Sequence, residues 1–334
     1  MRGDVVTRLV CSLCCAGALL AGASSGRADA ARITTTPTPV RSFGVYVDPW
    51  NVTDWAQRVG VRPDMVARFE AFSRGEDLGS FLREAEAQGM ASVMVSWEPW
   101  KPVPVQLGAA QSLPQRGYRN RDILHGVQDQ YIRRFARSLK TFRGTVYLRY
   151  AHEMNGDWYP WSHEPRMYVL AWRRLVRLFH AVGADNVRFV WSANPNQYQG
   201  KRPWLAHLRE YWPGARWVDY VGSTMIDFGG VRRARYQISR FAPRMQILRR
   251  VFGKPLMLTE TNTEYDGRVQ WLRDFRRMLR GMPWIRAVVW SQLKSRGQAH
   301  LKGSGELNWN VADDPSAAAA LRAIVRDGRR RPGA

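Results

Sequence analysis

The sequence predicts a single (β/α)8 barrel, and two observations lead to that prediction. Eight short apolar runs alternate with segments of helical periodicity along the 334-residue chain. The runs also lack the in-and-out alternation of a half-exposed sheet, which is typical of a parallel sheet covered on both faces. A doubly wound open sheet is the alternative, but no glycine-rich phosphate turn follows the first run.

Each candidate strand is six or seven residues long and ends close to polar or aromatic residues. The eight runs are FGVYVD at 43, VARFEAF at 66, ASVMVSW at 91, TVYLRY at 145, VRFVWSA at 187, VDYVGS at 218, PLMLTE at 255 and IRAVVWS at 285.

The helices between the strands are predicted from apolar residues spaced three and four apart. Pro165 can begin one helix and Gly183 can end it. Its apolar stripe consists of Tyr168, Trp172, Leu175, Val176 and Phe179, and arginines occupy the opposite face. Two further stripes have the same spacing: Val127, Tyr131, Phe135 and Leu139, and Val269, Leu272, Phe275 and Leu279 before Gly281.

Residues 1–30 resemble a secretory signal peptide. Arg2 and Arg8 flank an apolar run from residue 9 to 23, and small residues lead to a cleavage site after Ala30. The run is too short and too rich in Ala, Gly and Cys to anchor the chain across about 30 Å of hydrocarbon, and the segment SLCC is a poor lipoprotein signal. We therefore expect a secreted protein, extracellular or associated with the cell envelope.

The three cysteines, Cys11, Cys14 and Cys15, all lie in this leader. The mature chain is therefore expected to form no disulfide and no thiolate metal site. Residues 31–41 are predicted to be a disordered Thr/Pro-rich spacer, residues 42–327 the catalytic barrel, and residues 328–334 a frayed basic tail.

The formal net charge is +23, of which the leader contributes +1, so the mature chain carries +22. No zinc-finger spacing, ribonucleoprotein motif or concentrated basic helix indicates nucleic-acid binding. For an exported protein, attraction to anionic envelope polymers or phospholipid surfaces is the expected consequence, and a merely solvated basic surface is the alternative. We expect a monomer with no stable membrane insertion.

The active site of a (β/α)8 barrel lies at the carboxyl ends of its strands. Carboxylates, amides and tryptophans cluster there, and such a set is typical of a sugar site because pyranose rings stack on indoles. The alternative for any single tryptophan is that it only fills the barrel wall. The residues at these strand ends are Asp48, Trp50, Trp97, Glu98, Trp100, His152, Glu153, Asn155, Trp158, Trp161, Asn194, Asn196, Glu260, Asn262 and Trp290.

Two glutamates follow directly on strands, Glu153 on the fourth and Glu260 on the seventh. Such a pair is either catalytic or part of structural ion pairs. Glycoside cleavage with retention needs two carboxyl groups about 5 to 5.5 Å apart, and inversion needs about 6.5 to 9.5 Å. The sequence leaves that distance open.

Three other chemistries are disfavoured. The segment HEMNG has Gly156 where the zinc motif HExxH needs its second histidine. No Gly-x-Ser-x-Gly elbow provides a serine nucleophile. The six histidines are scattered rather than clustered as a metal-dependent phosphodiesterase would need. We therefore predict no metal and no cofactor.

Two segments, YLRYAHEMNGDWYPW and GKPLMLTETN, resemble glycoside hydrolase family 26. This is a family of endo-β-1,4-mannanases with some β-1,3-xylanases and mixed-linkage glucanases, and the similarity extends over residues 40–312. The resemblance implies a retaining enzyme in which Glu153 is the acid/base and Glu260 the nucleophile. Glu264 is a rival nucleophile but lies past the strand end.

The resemblance also implies further roles. His152 would bind the hydroxyl next to the anomeric carbon, Arg149 would hold the nucleophile ionised, Trp158 would lie at the sugar-binding rim, and Trp290 would form the floor of the cleavage subsite. The other strand-end residues Asn155, Trp161, Trp97, Glu98, Trp100 and Asn194 are expected to contact substrate.

One position departs from the family, which usually has a tyrosine at the end of strand six. Here Tyr220 comes too early and Met225 or Ile226 takes its place, with Asp227 or Phe228 as the candidate that compensates for the tyrosine. The resemblance thus predicts a retaining endo-β-glycanase, most similar to a β-1,4-mannanase. The alternatives are an enzyme acting on the producer's own exopolysaccharide or envelope glycan, and a non-catalytic carbohydrate-binding scaffold.

Overall fold

The computed structural model describes residues 41–48, 51–75, 78–102, 113–195, 203–227, 238–263, 267–295 and 307–330. All of them belong to the second of two compact units, Pro37–Ala334. The strands are β1 (Ser42–Asp48), β2 (Met65–Ala71), β3 (Ser92–Glu98), β4 (Thr145–Tyr150), β5 (Val187–Ala193), β6 (Tyr220–Asp227), β7 (Leu256–Thr263), β8 (Ile285–Ser295) and β9 (Leu307–Asn308).

The α-helices within the described ranges alternate with these strands. They are α1 (Val52–Val59), α2 (Gly79–Ala87), α3 (Asn120–Leu124), α4 (Asp129–Lys140), α5 (Pro165–Val182), α6 (Trp204–Glu210), α7 (Ile238–Phe252), α8 (Arg268–Arg280) and α9 (Pro315–Arg329).

The first eight strands form a closed parallel barrel. Each pairs with the next in chain order, and β1 also pairs in parallel with β8. The predicted (β/α)8 fold and its eight strands are therefore confirmed. The short strand β9, antiparallel to β8, was not predicted.

The predicted helix boundaries are confirmed for α5, where Pro165 occupies the first turn and Gly183 adopts the left-handed conformation that ends the helix. Gly281 is the C-terminal cap of α8, in the right-handed helical conformation. One helical stripe was wrong at its start, because α4 begins at Asp129 and Val127 is 61% exposed.

The barrel interior is filled in layers. An apolar layer lies low in the barrel and consists of Met65, Ala67, Met94, Val190, Met257, Ala287 and Val289. Because side chains alternate along a strand, the residues two positions further along face the next level. Four of those residues carry hydroxyls, namely Ser96, Ser192, Thr259 and Ser291. The apolar layer thus lies beneath a polar layer that is nearer the carboxyl ends of the strands.

Gly222 on β6 leaves room for Ser192 of β5 and Thr259 of β7 to pack closely in this hydroxyl layer. A Cβ atom at that position would lie 2.8 Å from the Cβ of Ser192 and 2.9 Å from a methyl carbon of Thr259. Real Cβ contacts are not that short, so a larger residue here would push β5 and β7 apart.

The two ends of the described chain meet. The Arg41 amide donates to the carbonyl of Gly328 at 2.9 Å, and the Arg41 guanidinium donates to the carbonyls of Leu279 and Ile285. Helix α9 continues through Arg329, so the predicted tail is helical over its first two residues. Residues 1–30, the predicted leader, lie outside the described residues. Among the described helices, none has the length and apolar character of a membrane span.

Candidate active site

Arg149, near the carboxyl end of β4, is the cation around which the site is arranged. Its side chain is fully buried. It donates to Ser192 Oγ at 3.0 Å, to Ser96 Oγ at 3.2 Å and to Thr224 Oγ1 at 3.2 Å. Its Nη1 lies 2.6 Å from Glu260 Oε1. Because a buried cation needs an anion and satisfied donors, this network holds the Glu260 carboxylate in one place.

A bulge in β7 brings Glu260 to the inside of the barrel. The register against β6 skips one residue between Leu258 and Glu260, so two consecutive side chains can face the same side. Thr259 Oγ1 lies 3.0 Å from Ser192 Oγ, inside the barrel, and Glu260 also points inward to its arginine.

The backbone that carries Glu153 is strained. Ala151 (φ 44°), Glu153 (φ 53°) and His163 (φ 70°) are the non-glycine residues with positive φ in the described ranges, and all three lie in the loop after β4. Each such residue costs about 1 kcal/mol. Hydrogen bonds hold the Glu153 backbone there, since its amide donates to Ser192 O at 2.8 Å and its carbonyl accepts from Gly156 N at 2.9 Å.

Glu153 is 8% exposed, and its carboxyl group accepts hydrogen bonds from several side chains. Asn194 Nδ2 donates to Oε1 at 3.0 Å, and Trp158 Nε1 donates to Oε2 at 3.1 Å. Burial raises the pKa of Glu153, and the negative charge of Glu260 raises it further, against the opposing effects of Arg149 and of hydrogen bonding. One carboxyl group therefore tends to keep a proton while its neighbour is paired with a cation, an arrangement suited to acid catalysis.

A third carboxyl group, Glu98 at the end of β3, faces the same site. Burial raises the pKa of Glu98 to about 8, although the hydrogen bond from Trp100 Nε1 at 3.1 Å and the charge of Arg149 lower it. The negative charge of Glu260 adds to the increase. Glu98 is therefore largely protonated at neutral pH.

His152 is 1% exposed, and its Nε2 lies 3.0 Å from the hydroxyl of Tyr159. Burial, with a smaller effect of the Arg149 charge, lowers the pKa of His152 well below its usual value, so the imidazole is neutral. Trp161 fixes this pair: its indole donates to His152 O at 2.8 Å and its ring stacks on Tyr159 at 4.2 Å. The half-buried Tyr159 thus stands between His152 and the surface.

Three of the tryptophans predicted to contact a sugar have buried side chains. Trp97 is 0% exposed and stacks on Phe135 of α4 at 4.2 Å, because it points outward from β3 while Glu98 points inward. Trp290 is also 0% exposed and belongs to the core between barrel and helices. Trp161 is 1% exposed and only supports its neighbours.

Trp158 is the half-buried indole that donates to the acid/base candidate. Gly156 makes room for its ring, since a Cβ atom there would lie 2.5 Å from it. Trp100, 8% exposed, packs edge-on against Tyr159 and Trp161. An aromatic wall therefore follows Glu153, and Trp158 and Tyr159 are its more open members.

Asn155 positions another residue instead of facing the open site. It is 1% exposed. Its Nδ2 donates to Asn194 O at 2.9 Å and its Oδ1 accepts from Asn194 N at 2.9 Å. This reciprocal pair aims the Asn194 side chain at Glu153. The substrate contact of Asn155 stays a prediction.

Some residues of the site were not predicted. The hydroxyls of Ser96, Ser192 and Thr224 hold Arg149. The half-buried ring of Phe69 lies 5.7 Å from the imidazole of His152, and Tyr46 packs edge-on against Phe69. For Ser96 and Ser192, a detectable signal was a small hydroxyl residue two positions after an inward apolar residue.

Strand six carries no tyrosine beside Glu260. Met225 is 0% exposed and belongs to the outer core, whereas Ile226 and Asp227 are 9% and 2% exposed. Thr224 is the strand-six residue that contacts the site: it accepts from Arg149, and its hydrogen bond lowers the pKa of Glu153. Tyr220 lies at the start of β6, against Tyr147, as the sequence indicated.

Several candidates fall outside the described part of the chain: the side chain of Asp48, and residues Trp50, Asn196, Phe228 and Glu264. Asn262 is buried and donates to the carbonyls of Ser291 and Trp309, which is a structural role. Over the described ranges, no three His, Cys, Asp or Glu residues are grouped as metal ligands would be.

Replacing Arg149 by methionine is expected to lower the free energy of unfolding by about 3 kcal/mol, because it leaves carboxylates buried without their cation. Urea denaturation measures the change. The double variant Arg149→Met/Glu260→Gln should recover part of the loss. Arg137→Met on the exposed face of α4 is the matched control and should stay within about 0.5 kcal/mol of wild type. Equal stability of Arg149→Met and wild type would contradict the role assigned to this cation.

Comparison with known proteins adds an independent observation. Residues 111–230 match the model of Glycosyl hydrolase family 26. Endoglucanase H of Acetivibrio thermocellus is 27% identical over 256 residues, which cover 72% of this chain and 25% of that protein. Mannan endo-1,4-beta-mannosidase A and B of Caldalkalibacillus mannanilyticus is 33% identical over 87 residues, covering 23% of this chain and 15% of that protein. The chain thus spans a quarter or less of the length of these two relatives.

Solved structures resemble the barrel over most of its length. A GH26 beta-mannanase from Bacteroides ovatus superposes with a TM-score of 0.60 at 16% identity, covering 87% of this chain and 89% of that one. The catalytic domain of a Bacillus sp. JAMB-750 GH26 endo-beta-1,4-mannanase gives 0.59 at 14% identity, covering 88% of each. At these identities the similarity shows a common fold.

Proposed function

Because the chain belongs to glycoside hydrolase family 26, we propose that it is an exported endo-β-glycanase that hydrolyses β-1,4-mannan with retention of anomeric configuration. The observation that carries the proposal is the arrangement of Glu260 and Glu153 around Arg149. One carboxylate is paired with the buried cation at 2.6 Å, and the other carboxyl group is buried, with a pKa raised partly by the first.

In the first step, a carboxylate oxygen of Glu260 attacks the anomeric carbon as the glycosidic C–O bond breaks. Glu153 gives its proton to the departing oxygen, so the leaving sugar departs as an alcohol. The Arg149 ion pair keeps Glu260 in position, and Asn194 and Trp158 keep Glu153 in position. Such fixed groups lower the barrier because little reorganisation remains to be done.

In the second step, Glu153 is ionised and takes a proton from water, and that water attacks the anomeric carbon of the glycosyl-enzyme. The bond to Glu260 breaks, and the carboxylate returns to its arginine. Attack from the face opposite to Glu260 restores the original configuration. Loss of the Glu260 charge in the intermediate removes one cause of the raised pKa of Glu153, which favours its change from acid to base.

The half-buried aromatic wall of Trp158 and Tyr159 suits a sugar ring on the side of the leaving group, because the C–H face of a pyranose packs on aromatic rings. One relative is named a mannan endo-1,4-beta-mannosidase, and this name supports mannan as the proposed substrate. A β-glucan is the second candidate, since the relative that covers 72% of this chain is named an endoglucanase.

The test is sugar release from β-1,4-mannan, mixed-linkage β-glucan and β-1,3-xylan, with the anomeric configuration of new ends followed by proton NMR directly after mixing. Mannan should be cleaved fastest, with β-configured products. Faster cleavage of β-glucan than of mannan would mean that β-glucan, the second candidate, is the preferred substrate. Initial α-products would contradict retention, and tight binding without cleavage of any glycan would indicate a binding scaffold.

Glu98 predicts a specific pH dependence. Its pKa of about 8 means that it is protonated below that pH and ionised above it, where it adds a negative charge close to Glu260 and His152. Activity is expected to fall above pH 8, and the Glu98→Gln variant, which stays neutral, should keep its activity to higher pH. Rates at saturating substrate from pH 5 to 10 provide the comparison. An unchanged alkaline limb in Glu98→Gln would exclude Glu98 as its cause.

A further inference from the structure

The positive charge of the chain is unevenly distributed. Residues 130–254 contain 23 Lys and Arg against 7 Asp and Glu, whereas the whole chain has 51 against 28. On α8 and α9 many arginines are neutralised locally, for example Arg276 and Arg280, which both contact Asp327. The region from α4 to α7 carries most of the excess charge.

Two arginines of this region converge on one indole. Arg177 on α5 and Arg216 in the 3-10 turn at residues 215–217 lie 5.1 and 4.8 Å from the ring centroid of Trp217. Both arginines are exposed and Trp217 is half-buried. Their guanidinium carbons are therefore within about 10 Å of each other, each in cation–π contact with the ring. We call Arg177, Arg216 and Trp217 the arginine–tryptophan cluster.

No carboxylate in the described part of the chain forms an ion pair with either arginine of the cluster. The similarly placed Arg174 of α5, in contrast, has Nη2 2.5 Å from Asp129 Oδ2. Two like charges within about one Debye length at 0.1 M salt repel each other. An anion that contacts both would relieve this repulsion.

The turn that carries the cluster is fixed to α5. Trp172 Nε1 donates to Trp217 O at 2.8 Å, and Arg173 Nε donates to Pro213 O at 2.8 Å. The indole is thereby held in place, and its ring limits the positions available to the two guanidinium groups. Less conformational entropy is then lost when an anion binds.

The cluster lies away from the candidate active site. The 3-10 turn directly precedes β6, and Arg177 lies in the second half of α5, which leads to the start of β5. Both places are at the amino ends of the strands. Glu153 follows the carboxyl end of β4, and Glu260 lies in the carboxyl-terminal half of β7. A ligand on the cluster would leave the candidate active site open.

We propose that the arginine–tryptophan cluster is a docking site for an acidic polysaccharide, separate from the catalytic site. Guanidinium groups pair bidentately with carboxylate or sulfate groups, and a polymer with repeated charges can engage both arginines together. A nucleic acid fits less well, because non-specific single-strand sites stack bases on free aromatic faces and this ring is already contacted by two guanidinium groups. The choice of a glycan rests on the proposed function.

The test measures equilibrium binding of the full chain to polygalacturonate by affinity electrophoresis and calorimetry, with neutral dextran as the control polymer. The variant Arg177→Gln/Arg216→Gln is expected to lose at least tenfold in affinity. The matched control Arg273→Gln/Arg326→Gln removes the same charge from exposed positions on α8 and α9 and should change affinity less than twofold. Wild-type binding should weaken as salt is raised from 50 to 500 mM.

Equal losses in both double variants would show that diffuse charge alone binds the polymer and would overturn the proposed site. Tighter binding to single-stranded RNA or to phosphatidylglycerol vesicles than to polygalacturonate would overturn the choice of partner. Thermal unfolding of each variant controls for folding. Binding is measured without turnover, so the result is independent of whether Glu260 is the nucleophile, and hydrolysis of neutral glycan by the cluster variant should remain at the wild-type rate.

Discussion

Replacing Glu260 by alanine is expected to lower the rate of polysaccharide cleavage by at least about 10⁴-fold, because the covalent route then has no nucleophile. Substrate binding should change far less, since Glu260 acts at the anomeric carbon and the aromatic wall remains. Arg149 would lose its anion at 2.6 Å, so a small added anion such as azide should occupy the vacated space. With an aryl glycoside substrate we expect azide to restore turnover and to give a glycosyl azide of inverted configuration.

The matched control for this experiment is Glu264→Ala, which removes the rival carboxylate four residues further along. It is expected to keep activity within about tenfold of wild type, because its effect would be indirect. If Glu264→Ala were the inactive variant and Glu260→Ala retained cleavage, the nucleophile assignment would be wrong. Thermal unfolding of Glu260→Ala must be measured in parallel, since its loss also leaves the buried Arg149 unpaired.

The barrel itself could be predicted from the sequence because eight apolar runs and their intervening helices follow simple periodicities. The register of neighbouring strands then places the ends of β4 and β7 on the same rim, which is why Glu153 and Glu260 could be singled out together. Neither the barrel fold nor the placement of these two strand ends on one rim depends on the conformation of any side chain. Strand β9 could not be predicted, since a strand of two residues is too short to show a periodic pattern.

The direction of side chains at strand ends was harder to predict. Trp97 and Glu98 are adjacent, yet one packs on α4 and the other faces the site, because successive residues of a strand point to opposite sides. Trp290 shares its side of β8 with Val288 and joins the outer core for the same reason. Strict alternation, applied from the apolar interior layer towards the carboxyl ends, would have predicted that both tryptophans face the helices.

Other features of the site arise from departures from regular geometry. The bulge in β7 turns both Thr259 and Glu260 inward, and the positive φ of Glu153 aims the acid candidate. A bulge or a strained backbone has no local sequence rule strong enough to reveal it. The contribution of Thr224 at strand six likewise depends on how far β6 continues past its apolar run.

Replacing Glu153 by alanine is expected to produce a defect that depends on the leaving group. Polysaccharide cleavage should fall by about 10³- to 10⁴-fold, because a sugar alkoxide leaves slowly without a proton. A dinitrophenyl glycoside of the preferred sugar needs no such proton, so its first step should remain fast and the glycosyl-enzyme should accumulate. A rapid burst of dinitrophenol followed by slow turnover, accelerated by azide, is the expected result.

A variant of the neighbouring Asn194 gives a second test of Glu153 as the acid. Its hydrogen bond to Glu153 Oε1 at 3.0 Å lowers the pKa of that carboxyl group. Asn194→Ala should therefore raise the pKa of Glu153, keep the acid protonated to higher pH and shift the alkaline limb of the polysaccharide rate upward. Glu153→Ala should lose the part of that limb that reports Glu153, whereas the fall caused by ionisation of Glu98 near pH 8 should remain. Equal defects of Glu153→Ala on activated and unactivated substrates would mean that proton donation comes from another group, and Glu98, protonated up to about pH 8 in the same site, would then be the residue to replace next.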